Sequence, residues 1–224
     1  MTSYTLLGVR IDDIALDELH ALFLLWLQGE GQHVVVTPNP EFLVLAHRDE
    51  SFRAFLNASD LALPDGFGLK IFVPITHRMT GIDALTMLDE ICKERDLRLV
   101  TIGSVPCDIV VGNVHDHLSI DDVQRIAKLQ PDVIAVALGQ GKQERIIATH
   151  QHEWPSAKIL IGVGGAVDVL SGIKHRAPKL FRYVGLEWLW RLISEPRRLR
   201  RIVNAVIVFP TLVILDRLHH RKNI

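Results

Sequence analysis

The 224 residues suffice for one large α/β domain, or for a domain with an appendage, and an apolar content of 48% supplies a substantial core. The formal net charge of −1 hides an asymmetry: residues 174–224 carry 12 Lys and Arg against 3 Asp and Glu, a net +9, which leaves 13 against 23, a net −10, on residues 1–173. A basic, apolar segment on an acidic body suits an anionic partner such as lipid headgroups, a diphosphate or nucleic acid, while two cysteines without a Cys-x-x-Cys or Cys/His spacing point to a reducing compartment and away from a zinc site.

The first eight residues lack a basic region followed by an apolar run, so no signal peptide is expected and the chain is placed in the cytoplasm. Tyr4 to Ile11 reads as a strand, and Asp13 to Gln28 as an amphipathic helix with Leu16, Leu19, Leu22, Phe23 and Trp26 at helical spacing. His33 to Val36 is a short buried strand ended by Thr37-Pro38-Asn39-Pro40-Glu41. Asn39 suits an N-cap, Pro40 the first helical position, and Glu41 the positive end of the helix dipole. That helix runs through Phe42, Leu45 and Ala46, and a shorter one around Phe52 to Asn57 leads to the next strand.

Leu61-Ala62-Leu63 reads as a buried strand that Pro64 cannot continue, and Gly66 and Gly68 let the backbone turn before a helix from Leu69 to Val73. Asp65 therefore stands at the carboxyl end of a strand, the edge of an open α/β sheet where ligands bind. Two readings of it stay open: a general base, or the cap of the following helix. Either way, successive strand-to-helix turns bring Thr37, Asn39 and Asp65 to one edge of one parallel sheet. The loop His77-Arg78-Met79-Thr80-Gly81-Ile82-Asp83 enters a helix near Asp83 that runs to about Lys93. Arg78 is its fixed cation, suited to a phosphate oxygen or equally to the surface.

Leu97 to Ile102 and Cys107 to Val111 read as strands separated by Gly-Ser-Val-Pro, too short a link for the crossover helix of an ordinary parallel pair of neighbours. His115-Asp116-His117 has alternate-residue spacing that a metal could use, but it reads as a loop with no third ligand, so no metal is expected. Ile120 to Gln130 is helical, and Asp132 to Leu138 is a buried strand ended by Gly139-Gln140-Gly141-Lys142-Gln143-Glu144. Glycines in such a turn let backbone amides approach a phosphate, with Lys142 or Gln143 available to a ribose, base or diphosphate. Lys158 to Ile161 is the last core strand, and Gly162-Val163-Gly164-Gly165-Ala166 opens a helix through Leu170. Four polar or glycine-rich turns on one edge outline a nucleotide-type cleft.

These segments resemble the WecG/TagA/CpsF glycosyltransferases, also called glycosyltransferase family 26. The likeness is carried by Thr37 to Glu41, Leu63 to Gly68, Arg78 to Asp83, Leu138 to Glu144, Gly162 to Asp168, and Arg176-Ala177-Pro178 followed by Gly185 to Arg191, in the family's order over most of residues 5–201. The resemblance implies a Rossmann-like, mostly parallel sheet flanked by helices in residues 1–173, with a helical, membrane-associating appendage in residues 174–224. It also implies inverting, metal-independent transfer of an N-acetylmannosamine-type sugar from a UDP-sugar to a polyprenyl-diphosphate-linked acceptor, in surface polysaccharide synthesis on the inner face of the cell membrane. In that pattern Asp65 is the base, and Thr37 and Asn39 line the pocket with Gly66, Lys142, Gln143, Glu144, Gly164 and Gly165. Arg191, Arg198 and Arg201 of the appendage complete the site, and no cofactor is implied. Two departures stand out: the short link after Ile102 replaces a helix, and Gly141 occupies the family's usual proline position.

A metal-independent transferase must offset diphosphate charge with cations and helix N-termini, and the chain contains no Asp-x-Asp pair to hold a divalent ion. Arg78, Lys142 and the arginines at 191, 197, 198, 200 and 201 are the available cations. A non-catalytic nucleotide-sugar-binding protein at the membrane is the alternative that the abbreviated middle favours, and nucleic acid is disfavoured by the apolar character of the tail. Oligomeric state stays open, a homo-oligomer included. Finally, Ile202 to Leu215 is a nearly unbroken apolar run of 14 residues, about 21 Å of helix against about 30 Å of hydrocarbon, interrupted by Pro210. It is expected to lie in the interface rather than to span, or alternatively to pack on the core.

Overall fold

The computed structural model describes residues 1–104, 106–111, 117–173, 177, 178, 181 and 186–222. Six strands form one parallel sheet in the order β4-β3-β8-β7-β5-β6, with β3 His33–Val36, β4 Leu61–Ala62, β5 Leu99–Gly103, β6 Ile109–Val110, β7 Val133–Ala137 and β8 Ile159–Gly162. The central strands are apolar on both faces, as a sheet covered on both sides requires. Helices α1 (Leu16–Gln28), α5 (Gly81–Arg95) and α8 (Ala166–Leu170) bury their apolar residues on one face with Val35, Leu61, Ala135 and Ile161. Helices α2 (Pro40–Arg48), α3 (Glu50–Ala58), α6 (Ile120–Lys128) and α7 (Lys142–His150) cover the other with Val34, Val36, Ile134 and Leu160. This is the α/β fold expected from the sequence.

Three local expectations need correction. Tyr4 to Ile11 is not one strand but an antiparallel hairpin, β1 Thr2–Leu6 and β2 Val9–Asp13. Leu7 and Gly8 both take positive φ, 50° and 76°, the turn geometry whose twist matches that of the flanking strands. Second, β5 and β6 are parallel neighbours despite their short link. Ile109 pairs with Ile102 and Val110 with Gly103, so β6 begins where β5 ends and the link never has to travel back along a strand. Asp108 braces it by accepting from Thr101 N–H and Thr101 Oγ1, both at 2.8 Å.

The third correction concerns the terminal apolar run. Leu199–Val203 is α-helical, Asn204–Val208 makes a π turn, and Phe209–Lys222 continues as α-helix, so the helix does not break at Pro210. In the π turn Phe209 N–H bonds back to Asn204 O, and this wider turn accommodates the proline ring. The stretch Leu199–His219 is 21 residues and holds an 18-residue window with a mean hydropathy of 1.6, long and apolar enough to cross a membrane by length and composition. Yet it rests on the body: Phe209 and Val213 are fully buried, and Phe209 meets Phe72 edge to face at 5.3 Å. Arg217 reaches the Phe72 carbonyl and lies 5.7 Å over its ring. Leu199, Val203, Val206, Ile207, Ile214, Leu215 and Leu218 are exposed, forming an outward apolar face typical of a membrane-associating appendage.

Candidate active site

The helices that follow β3 and β8 lie on opposite faces of the sheet, α2 on one and α8 on the other. Because β3 and β8 are adjacent, their carboxyl ends flank a topological switch point, where open α/β sheets form their crevice. Thr37, just past β3, is buried and donates from Oγ1 to Gly162 O across this seam at 3.1 Å. The first turn of α5 closes on the same point, where a β-carbon on Gly81 would stand 3.4 Å from Val163 O and 3.7 Å from Thr37 Cγ2.

Asn39 caps α2, accepting from Glu41 N–H at 2.9 Å and Phe42 N–H at 3.1 Å, with Pro40 in the first turn. The Asp65 turn is fastened to it by backbone: Leu63 N–H donates to Val36 O at 2.8 Å and Asp65 N–H to Pro38 O at 2.9 Å. Gly66 has φ +106°, and a β-carbon on Gly68 would come within 2.9 Å of Pro40 Cγ, so both glycines are needed for the two turns to nest. The short helix α4 (Phe67–Lys70) has Gly66 at its N-cap position, one residue after Asp65. Asp65 is half-buried at the strand end, beside Thr37 and Asn39 in the turn fastened to it.

Arg78 lies on the loop that enters α5 three residues before Gly81, and that loop has an anchor the sequence did not reveal. That anchor is Asp13, at the end of β2, which accepts from Thr76 N–H and His77 N–H at 2.8 Å each and approaches His77 Nδ1 at 3.2 Å. Burial pushes the Asp13 carboxyl up, but those two backbone donors and the His77 ring outweigh it and hold it below the usual carboxylate range. The loop then ends in a capping box, in which Thr80 Oγ1 accepts from Asp83 N–H at 3.2 Å and Asp83 accepts from Thr80 N–H.

The turn after β7 behaves differently from the sequence expectation of a ligand-facing Gln143 and Glu144. Both are buried, each 1% exposed. Glu144 accepts from Gly141 N–H at 2.6 Å and from Gln143 Nε2 at 2.7 Å, and Gln143 Oε1 accepts from Gly164 N–H at 2.9 Å. Burial pushes the Glu144 carboxyl up to about 7 against the lowering pull of those donors. What faces open space is backbone: a β-carbon on Gly139, Gly164 or Gly165 would meet nothing within 4 Å. Lys142 opens α7 beside them.

From the appendage, Arg201 Nε binds Glu41 Oε2 at 2.7 Å, in the turn next to Asn39. Arg191 belongs to α9 (Glu187–Ser194) and Arg198 to the 3-10 turn Pro196–Arg198, but their side chains lie outside the described residues. His115 and Asp116 also lie outside them, and among the described residues no cluster of His, Cys, Asp and Glu could hold a metal. Cys92 is pushed up to about 12 by burial with Asp132 and Asp89 nearby, and burial likewise raises Cys107, so neither is a thiolate at neutral pH. Two cavities of about 510 and 590 Å³ flank β5 near Arg98 and Asp108, away from these turns. They are gaps left where the two-residue β6 covers only the end of β5, and the converging polar turns are the better guide to the site.

A doubly wound parallel sheet, polar turns gathered at its switch point and an apolar helix docked beside them define an α/β protein whose candidate site lies at the carboxyl edge, next to a lipid-compatible surface. The family described as "Glycosyl transferase WecG/TagA/CpsF family" matches residues 4–223, and the chain belongs to it. Relatives from Staphylococcus aureus strains MRSA252, MW2 and NCTC 8325 are each named N-acetylglucosaminyldiphosphoundecaprenol N-acetyl-beta-D-mannosaminyltransferase. They are 28%, 27% and 27% identical over 202 residues, covering 80% of this chain and 79% of theirs.

Proposed function

We propose that the protein transfers an N-acetylmannosamine-type sugar from a UDP-sugar to a polyprenyl-diphosphate-linked acceptor, with inversion, as a step in surface polysaccharide synthesis. One observation carries this reading beyond family membership: the Asp65 and Asn39 turns nest against each other through Gly68 and Pro40, and the buried Phe209 of the apolar terminal helix lies against that same junction. A lipid-linked acceptor arriving along the helix would meet the carboxylate directly.

In this mechanism Asp65 takes the proton of the acceptor hydroxyl as its oxygen forms a bond to the anomeric carbon. On the opposite face of the sugar the bond to the diphosphate breaks, and the leaving UDP carries the charge away. Arg78, Lys142 and the appendage residues Arg191, Arg198 and Arg201 offset that charge, aided by the first turns of α5 and α7. Thr37, Asn39, Gly66 and the Gly164-Gly165 turn shape the donor pocket. Residues 1–173 serve as the catalytic core and residues 174–224 as the appendage, which lies in the inner face of the cytoplasmic membrane with its basic residues against anionic headgroups.

The test is transfer from UDP-N-acetylmannosamine to a synthetic polyprenyl-diphosphate-linked N-acetylglucosamine, with the anomeric configuration of the product determined. A β-linked disaccharide formed equally with and without EDTA is expected. Donor binding without transfer would instead identify a sensor of nucleotide sugars, and a loss with EDTA that Mg²⁺ or Mn²⁺ reverses would overturn metal independence.

A further inference from the structure

The Gly139–Gly141 turn after β7 and the Gly162–Gly165 turn after β8 belong to different strands, and buried side chains join them. The path runs from Gly141 N–H to Glu144 Oε2 (2.6 Å), from Gln143 Nε2 to Glu144 Oε1 (2.7 Å), and from Gly164 N–H to Gln143 Oε1 (2.9 Å). It passes so close over β8 that a β-carbon on Gly162 would stand 2.6 Å from Gln143 Nε2 and 2.9 Å from Glu144 Oε1. Gly162 O in turn accepts from Thr37, so the same strand end is tied to the Asn39 turn.

We infer that Glu144 is a positioning residue: through Gln143 it fixes the spacing of the two glycine turns whose open backbone faces the crevice, without itself touching substrate. The inference rests on the reading of that crevice as the donor site. It is specific about polarity. With Glu144 ionised, each atom on the path has one role, with both Glu144 oxygens accepting, Gln143 donating to Glu144, and Gln143 accepting from Gly164. In Glu144→Gln, the amide at position 144 can accept from Gly141 only by turning its own N–H₂ toward the Gln143 N–H₂. If Gln143 flips to relieve this, its N–H₂ confronts Gly164 N–H, so one turn must be released. In the double variant Gln143→Glu/Glu144→Gln every donor again meets an acceptor: the amide at 144 accepts from Gly141 and donates to the carboxylate at 143, which accepts from Gly164.

The experiment compares wild type, Glu144→Gln and the double variant at a pH above the Glu144 titration, by amide hydrogen exchange at Gly141 and Gly164 and by steady-state kinetics with donor varied. Glu144→Gln is expected to speed exchange at one of the two amides at least tenfold and to raise donor KM about tenfold, with kcat and acceptor KM within threefold of wild type. The double variant should restore both exchange and KM. If exchange at both amides is unchanged in Glu144→Gln, or the double variant is worse than the single one, the relay does not hold the turns. If exchange changes and is restored while donor KM does not move, the relay is only structural and the positioning role fails. The exchange measurement needs no turnover, so a protein that proved inactive would refute the proposed function and still report on the relay.

Discussion

Asp13 shows how a residue far from the chemistry in sequence delivers a catalytic candidate. Its two backbone acceptor bonds hold the loop that carries Arg78, and Asp13→Asn, which keeps only one carbonyl oxygen, should cost about 1–3 kcal/mol of stability at pH 7. Because the folded-state pKa is lowered, this stabilisation is present above the unfolded value and is lost as pH falls through the folded one. Urea titrations should therefore show the gap between wild type and variant at neutral pH closing below about pH 4. Glu144 has the opposite sign. With its folded pKa raised from 4.5 to about 7, the unfolded chain ionises first, and stability drains away as pH rises from about 5 to 7, by something on the order of 3 kcal/mol. Glu144→Gln should flatten that slope, and a wild-type slope unchanged by the substitution would show that Glu144 titrates normally. At this scale Asn39 was legible, because cap, proline and acid follow one another in three residues. Asp13 was not, since its partners at 76 and 77 are brought to it only by the fold. Gln143 and Glu144 were found as a motif but assigned to ligand, because sequence does not reveal that Gly162 leaves room beneath the turn for their side chains.

Among the elements, the terminal helix departs furthest from its sequence reading. Pro210 reads as an interruption only if every turn is α-helical, and the π turn over Asn204–Val208 removes that premise. Similarly, the rule against short parallel links assumes strands paired along their length, whereas β6 meets only the last two residues of β5. Gly141 illustrates a departure with a local cause: its φ of +81° is closed to proline, and its N–H is the donor to Glu144, so this chain enters α7 by a path that a proline would forbid. The helix itself is held at Phe209, Val213, Arg217 and Arg201 to α2, α4 and Phe72. Phe209→Ala should remove about 3–5 kcal/mol of packing, the usual cost of emptying a fully buried Phe site. Phe209 and Val213 share a buried cluster with the sheet residues Val34 and Val36, and the loss is expected first as undocking of the helix. Hydrogen exchange should rise at residues 209–217 and 68–72 but stay unchanged in β3, β7 and β8. Uniformly faster exchange in those strands would mean that the contact supports the whole cluster and not the docking of the helix alone.

Across the whole molecule, charge and hydropathy separate as the proposed function requires. The acidic body carries the candidate site, while the basic C-terminal segment carries the apolar face and meets the Asp65 turn at Gly68 through Phe209. Deleting residues from 202 onward should abolish co-sedimentation with anionic vesicles, and binding as strong as that of the full chain would place the membrane contact elsewhere. The parallel α/β sheet was legible from the alternation of buried strands and amphipathic helices, and the common edge of the turns from the polar residues that end each strand. The strand order was not, because it depends on which faces the helices take. That order places the β3 and β8 ends side by side and gives Asp65 its setting, so the account stands or falls on that carboxylate. The decisive measurement is single-turnover transfer by Asp65→Asn at saturating donor, alongside its donor affinity and melting temperature. A rate lower by roughly 10²–10⁴ with affinity and melting temperature retained is predicted for the loss of a general base, and transfer at the wild-type rate would contradict it.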